Sequence, residues 1–436
     1  MKFTKKNIII FLLILFFVSA TMFYKCNLLA DAKTTSKFLM YAILGGLFVY
    51  DYKSKLIDRT SAETSFHVVD KCVLFLIIAQ CVSIFNSFLY KDQPIKYGLL
   101  SSLPFFTTYL FYFWLRKSML NISIIEKIII TMAFLSCAAK IISLLTMPSP
   151  IFGSFEYDLT RGGARFRIPG EEWIVCGFFY FINRYLKLRE SKYLIVVSFL
   201  YLMLLSTLTR QVILWTTALG VWFVFSSLKL WKKIAFSVLA SVLFAFVVPN
   251  IPFVKRMSEM TENQVGDGNY KEDVRYRDYQ VFLFDYKRTP IQYAFGCGIP
   301  SEGRSKWGDE MIKMGEEQLI PVDVGWAGFV FLYGYIPAIV LLFIFIYSLR
   351  TPHADRYQYL KYYLVYIMLA SILSGPILYY HQYLTVIFCF YAVRKSHYDV
   401  LRKNHLGKKI LEYEYGINNP KLQQLRRYIK LLRQYR

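Results

Sequence analysis

VRYRDYQVFLFDYKRTPIQYAFGCGIP, residues 274–300, sits inside the longest polar stretch of the chain, residues 251–323, and apolar runs flank that stretch on both sides. A polar segment between two hydrophobic runs emerges on one side of a membrane, so this stretch divides the chain into embedded parts before and after it. Arg275 and Arg277 open a pattern in which Tyr276, Tyr279, Phe282, Leu283 and Tyr286 recur at roughly helical spacing. Arg288, a cation suited to a helix C-terminus, and Pro290 end the pattern, and a Gly296-Cys297-Gly298 turn follows. Such a helix lies in the interface with its aromatics at headgroup level, or it covers a cavity beneath. The stretch reads as the lid or floor of a site for an anionic, membrane-borne substrate.

Composition agrees with a membrane setting. Of 436 residues, 56% are hydrophobic, and the mean hydropathy is +0.37, which places the chain in the membrane class. The net charge of +23 is no nucleic-acid signature here, because basic residues of polytopic proteins collect in inner loops and tails. Residues 394–436 carry twelve Lys/Arg against three Asp/Glu, whereas residues 251–321 carry ten against twelve.

Outward from the polar stretch, apolar runs fall at 8–23, 38–50, 73–90, 99–115, 128–147, 173–186, 193–208, 212–228 and 234–248, then at 324–347, 362–378 and 383–393. Several are shorter than the ~20 residues that cross the hydrocarbon core and must borrow flanking residues. The first resembles a signal peptide without a small-residue cleavage site, so it is expected to stay as a span with the N-terminus inside. The inner loops then hold Lys53, Lys55, Arg59, Lys71, Arg116, Lys117, Arg184, Lys187, Lys229, Lys232, Arg350 and Arg356, in keeping with the positive-inside rule. The fold class expected is an all-α polytopic integral membrane protein of about 12 transmembrane helices, with one large outer loop between spans 9 and 10. Its parts are residues 1–250 (about nine spans), 251–323 (the loop with its amphipathic helix), 324–394 (about three spans) and 395–436 (a basic inner tail).

The outer face carries arginines that this rule disfavours. Arg161, Arg165 and Arg167 lie in LTRGGARFRIPGEEW, Arg210 in STLTRQ at the outer end of the seventh span, and Arg275 and Arg277 in the long loop. A planar guanidinium holds phosphate bidentately, so these residues suit a phosphate or pyrophosphate cradle; the plain alternative is snorkelling to headgroups or pairing with nearby acids. Lys140 falls inside the run 128–147, where an ionisable group faces a cavity or partner, or snorkels. Acid/base work needs carboxylates: Glu171 and Glu172 open the sixth span and Asp323 the tenth, positions that equally suit helix caps. His381, in YYHQY, reads as an interfacial histidine or a proton acceptor. Cys26 and Cys297 look exposed on the outer side. No CxxC or Cys/His spacing suggests a metal, and no cofactor is expected.

Four of these places resemble the bacterial O-antigen polymerase and O-antigen ligase superfamily. LLSTLTRQVIL resembles its Ser-Arg element at a periplasmic helix end, and RGGARFRIPGEEW its arginine-bearing loop. VRYRDYQVFLFDYKRTPIQYAFGCGIP resembles its Arg, amphipathic helix, Pro, Gly-x-Gly pattern, and PVDVGWAGFVFLYGYIPAIVLLFIF its span after the loop. Ligases of the group carry a histidine near the start of that last span; residues 318–323 here have none, which leans toward polymerase. The resemblance implies a metal-independent glycosyltransferase of the bacterial inner membrane, with cytoplasmic termini and a periplasmic site. Such an enzyme joins polyprenyl-pyrophosphate-linked oligosaccharides into O-antigen, capsular or exopolysaccharide. Its partners would be those lipid-linked sugars, membrane lipids, a chain-length regulator and a flippase. The role expected for Arg210 and for Arg275 or Arg277 is to offset the charge of the leaving pyrophosphate. Arg161, Arg165, Arg167 and Lys140 would hold glycan or pyrophosphate, and Asp323 or Glu172 would orient the acceptor hydroxyl. The alternatives are a ligase-type transferase and a flippase or other transporter of the same lipid-linked glycan.

Overall fold

The structure, a computed structural model, describes residues 5–29, 31–54, 67–118, 120–158, 163–167, 169–207, 209–231, 233–234, 255, 274–353 and 355–415. The first helices are α1 (Lys5–Thr21), α2 (Ala32–Ser54), α3 (Val68–Lys91), α4 (Ile95–Ser118) and α5 (Ile122–Leu145). Asn7–Lys25, Val68–Lys91, Ile95–Ser118 and Ser123–Leu145 are each long and apolar enough to cross a membrane. In lipid a helix satisfies its own backbone, so the chain is a helical membrane protein. A hairpin of β1 (Ser154–Asp158) and β2 (Gly163–Arg167), which the sequence did not announce, connects α5 to α6 (Glu171–Leu188). Then come α7 (Ser191–Leu205) and α8 (Arg210–Ser226). The run 234–248 lies almost wholly outside the described residues.

After the polar stretch come α9 (Val274–Gln280), which continues as a π-helical turn over Val281–Asp285, α10 (Pro290–Phe295) and α11 (Lys306–Glu316). The last helices are α12 (Gly325–Tyr333), α13 (Tyr335–Arg350), α14 (Gln358–Leu373) and α15 (Tyr380–Tyr415). The 23 residues of α2 and the 36 of α15 remove the length problem of the runs 38–50 and 383–393, because polar flanks extend both helices.

Side-chain contacts sort the helix ends into two groups. At one end, buried Asp70 accepts from Tyr112 at 2.8 Å and pairs with Arg116 at 3.2 Å and with Arg394. At the same end Glu126 pairs with Arg184 at 3.2 Å and with Arg356, and Tyr347 meets His67. Arg116, Arg184, Arg356 and Arg394 are among the basic residues the charge pattern assigns to the inside. At the other end Asn27 donates to the Pro150 and Gly153 carbonyls, and Tyr24 packs on His381.

Three expectations need correction. The run 324–347 is two helices, α12 and α13, separated at Gly334. The break frees carbonyls of α12, and the Gly296-Cys297-Gly298 turn takes them: Cys297 N–H donates to Phe331 O at 3.0 Å and Gly298 N–H to Leu332 O at 2.9 Å. The fit is close enough to demand glycine. A Cβ on Gly296 (φ +79°) would lie 2.2 Å from Leu332 O, and one on Gly334 (φ +92°) 2.3 Å from Ala294 O. Second, Cys26 and Cys297 are buried, the latter because this turn enters the bundle beside Ser83 and Ser87 of α3. Third, the aromatic pattern after Arg275 is not one uniform face. Phe282 is fully buried against Phe331, while Tyr276 is exposed.

The docked segment is fastened at several points. Asn86 donates to Gly296 O at 2.9 Å, and Gln93 to Ile299 O at 2.8 Å. Lys91 lies over the rings of Tyr286 and Trp307 at 4.5 and 4.6 Å and pairs with Glu310. Ammonium over aromatic faces is attractive, so residues 286–310 form a built floor on the end of α3.

Candidate functional site

Gly170, in the left-handed region at φ 78°, turns the chain from the hairpin into α6 and brings Glu171 and Glu172 against the bundle. Glu172 is 4% exposed, and its Oε1 has no hydrogen-bond partner among the described residues. The charge of Lys25, from the turn after α1, acts on both Glu172 and His381. His381, the second residue of α15, is not interfacial as expected but buried. The rings of Tyr24, Tyr379 and Tyr380 stand 5.6–5.7 Å from its own. Its Nδ1 is likewise without a partner among the described residues. A carboxylate, an imidazole and an ammonium thus converge at one end of the bundle. Buried polar atoms carry a cost unless something satisfies them, so such a cluster suits a bound ligand and proton transfer.

Lys140 is fully buried. Its ammonium donates to Met203 O in the last turn of α7 and feels the charge of Glu171. A lysine on the free carbonyls of a helix end complements the dipole. Lys140 therefore braces the α7–α8 turn, whose next helix begins with half-buried Arg210.

A second group forms around α9. The Arg277 guanidinium donates to Glu317 O and the Tyr279 hydroxyl to Ile372 O, each at 2.5 Å. These bonds turn Asp278 inward, where it has no exposed surface and neither carboxylate oxygen completes a hydrogen bond among the described residues. Loss of solvent, and then the charge of Asp323, push the Asp278 carboxyl up to about 7, against the opposing pull of Arg277, the Ile320 amide and Arg275. Asp323 itself is exposed. Arg288 donates to Leu283 O at 2.9 Å, which is the helix C-terminal cation expected.

The structure therefore brings Glu172 together with Glu171, Lys25 and His381, and places Lys140 within reach through Glu171. It brings Arg275, Arg277 and Asp323 around Asp278. Glu302 acts on Tyr24 and Arg304 on Lys37, which sets the floor segment beside the first group. Arg165 and Arg167 lie on β2 opposite Glu156 and Ser154, and Arg161 lies outside the described residues. Sequence reasoning missed Lys25 and Asp278. Asp278 had a signal, an acid inside an aromatic helical pattern, whereas Lys25 looked like any flanking cation. Among the described residues, no group of three His, Cys, Asp or Glu could hold a metal. No family model matches the chain, and no curated protein matches it.

Proposed function

We propose that this chain is a polytopic membrane glycosyltransferase that polymerises polyprenyl-pyrophosphate-linked oligosaccharides on the outer face of a bacterial inner membrane. In this reading about twelve spans leave both termini in the cytoplasm. The observation that carries it is the pair of buried groups Glu172 and His381, with half-buried Lys25 acting on both, at the end of the bundle where α8 begins with Arg210. Transfer needs a group to take the acceptor hydroxyl's proton and cations to meet the departing pyrophosphate. Glu172, set by α6, takes the first role, with His381 as its neighbour. Arg210, Arg275 and Arg277 take the second, bidentate guanidinium being the natural partner of phosphate. Asp323 orients the acceptor. Arg161, Arg165, Arg167 and Lys140 serve substrate placement, Lys140 through the α7–α8 turn.

A carrier of the same lipid-linked glycan would also use a broken helix. Here the carbonyls freed at the break are taken by Cys297 and Gly298, which weighs against an ion or substrate site at that point.

The test is the size distribution of surface and lipid-linked glycans in a deletion strain complemented with wild type, Glu172→Gln or Arg210→Ala. Loss of one acid/base group costs about 10²–10⁴ in rate. The polymerase reading expects single repeat units on the surface with either variant present at normal membrane level. Repeat units trapped on the inner leaflet would replace it with a carrier. Long chains left on the lipid would indicate a ligase.

A further inference from the structure

The seam between α6 and α14 carries a row of polar side chains from each helix. On α6, Glu172, Cys176, Tyr180 and Arg184 recur every fourth residue, which places them in one row on the helix. At 1.5 Å per residue the row is ~18 Å long, over half the thickness of a bilayer core. On α14, Tyr359, Tyr363 and Tyr366 form the facing row, all buried.

Contacts and electrostatic interactions link the two rows at several points. Arg184 bridges Glu126 and the Tyr180 hydroxyl, the latter at 2.9 Å. The Tyr180 and Tyr359 rings are 5.2 Å apart. The thiols of Cys176 and of Cys389 on α15 interact, and both act on Tyr359 and Tyr363. The Tyr363 and Tyr366 rings are 6.1 Å apart. Glu172 acts on both tyrosines and Glu171 on Tyr366. The hydroxyls of Tyr359 and Tyr363 and Oε1 of Glu172 have no hydrogen-bond partner among the described residues.

An apolar seam would pack these helices without that penalty. Tyr359 and Tyr363 lie four residues apart on α14, and water is the usual partner of buried orphaned polar groups. We propose that this seam is a hydrated path that carries protons between Glu172 at one end of the bundle and Glu126 at the other. Each step hands a proton from one oxygen to the next through water, so no bond other than O–H is made or broken. Partly exposed Glu171 opens one end, and Arg356, exposed beside Glu126, stands at the other. Two arginines on one carboxylate leave positive charge at that mouth, which retards protons. The inference does not depend on the glycosyl-transfer reading.

The experiment places the purified full-length protein in liposomes loaded with a pH-sensitive dye, under an imposed pH gradient with potassium and valinomycin. Wild type should dissipate the gradient faster than protein-free vesicles. Tyr363→Phe, which keeps the ring and removes one hydroxyl, should slow the flux about tenfold, the factor one lost hydrogen bond contributes to a barrier. Arg356→Gln should speed it. A misfolded variant would leak, so the slower Tyr363→Phe is the informative direction. Wild-type flux equal to that of empty vesicles, or unchanged flux in Tyr363→Phe, overturns the proposal while leaving the glycan phenotype untouched.

Discussion

Asp278 shows how a single side chain can record its surroundings. Its carboxyl is held up to about 7 by burial and by Asp323, far above the range of an unfolded aspartate. The folded state therefore keeps a proton that the unfolded chain releases, so stability falls as pH rises from about 4 to about 7. Asn cannot ionise, so Asp278→Asn should remove that part of the slope. In detergent, the unfolding midpoint of wild type should drop between pH 5 and pH 8, and that of Asp278→Asn should drop less. The difference at pH 8 should be about 2 kcal/mol after allowance for nearby solvent. Equal slopes would show that Asp278 is ionised and satisfied in the fold. Sequence alone pointed to the arginines on either side and held only a faint signal for this acid, its place within the aromatic pattern. Periodicity places Asp278 on the aromatic face, yet only the docking of α9 through Tyr279 and Arg277 decides that the face is covered.

At the scale of elements, the Gly296 turn and the break at Gly334 depend on each other. The turn supplies two N–H donors to carbonyls that a continuous helix would have used itself. Gly296→Ala adds a methyl 2.2 Å from Leu332 O at a left-handed φ. Strain of about 1–2 kcal/mol and overpacking of about 1–3 kcal/mol should both apply. Gly45→Ala, in α2 with nothing within 4 Å of the new methyl, should instead stabilise by about 0.5–1 kcal/mol. Thermal unfolding of the two variants in one detergent checks the opposite signs. If Gly296→Ala matches wild type, the turn does not dock as described. The Gly-x-Gly spacing was visible in the sequence, and so was the apolar run 324–347. That they meet was not, because hydropathy reports how apolar a segment is and carries no record of which carbonyls remain unpaired. The same limit hid the burial of Cys297 and His381.

For the molecule as a whole, charge read from the sequence and contacts in the fold give the same division of helix ends. Asp70 gathers Arg116 and Arg394, and Glu126 gathers Arg184 and Arg356. All four arginines belong to the loops that the positive-inside rule assigns to the cytoplasm. The gathering of these arginines at one end was legible because it rests on counting charges between apolar runs. The α8 helix ends at this same face, where Ser226 meets Tyr362 at 3.0 Å. The α12 helix begins at the opposite face, where Gly325 N–H donates to Ser374 O. The proposed twelve-span topology requires a single net crossing between residue 226 and residue 325. Reporter fusions test this directly. Alkaline phosphatase should be active after Ser206 and Gly303, and a fluorescent protein should fold after Lys229 and Thr351. If the reporters after Lys229 and Gly303 both fall in the cytoplasm, no net crossing lies between them, and the floor built by residues 286–310 would face the cytoplasm. The donor sugar-lipid would then have to be met there, and the periplasmic polymerase reading would give way to an inner-face activity.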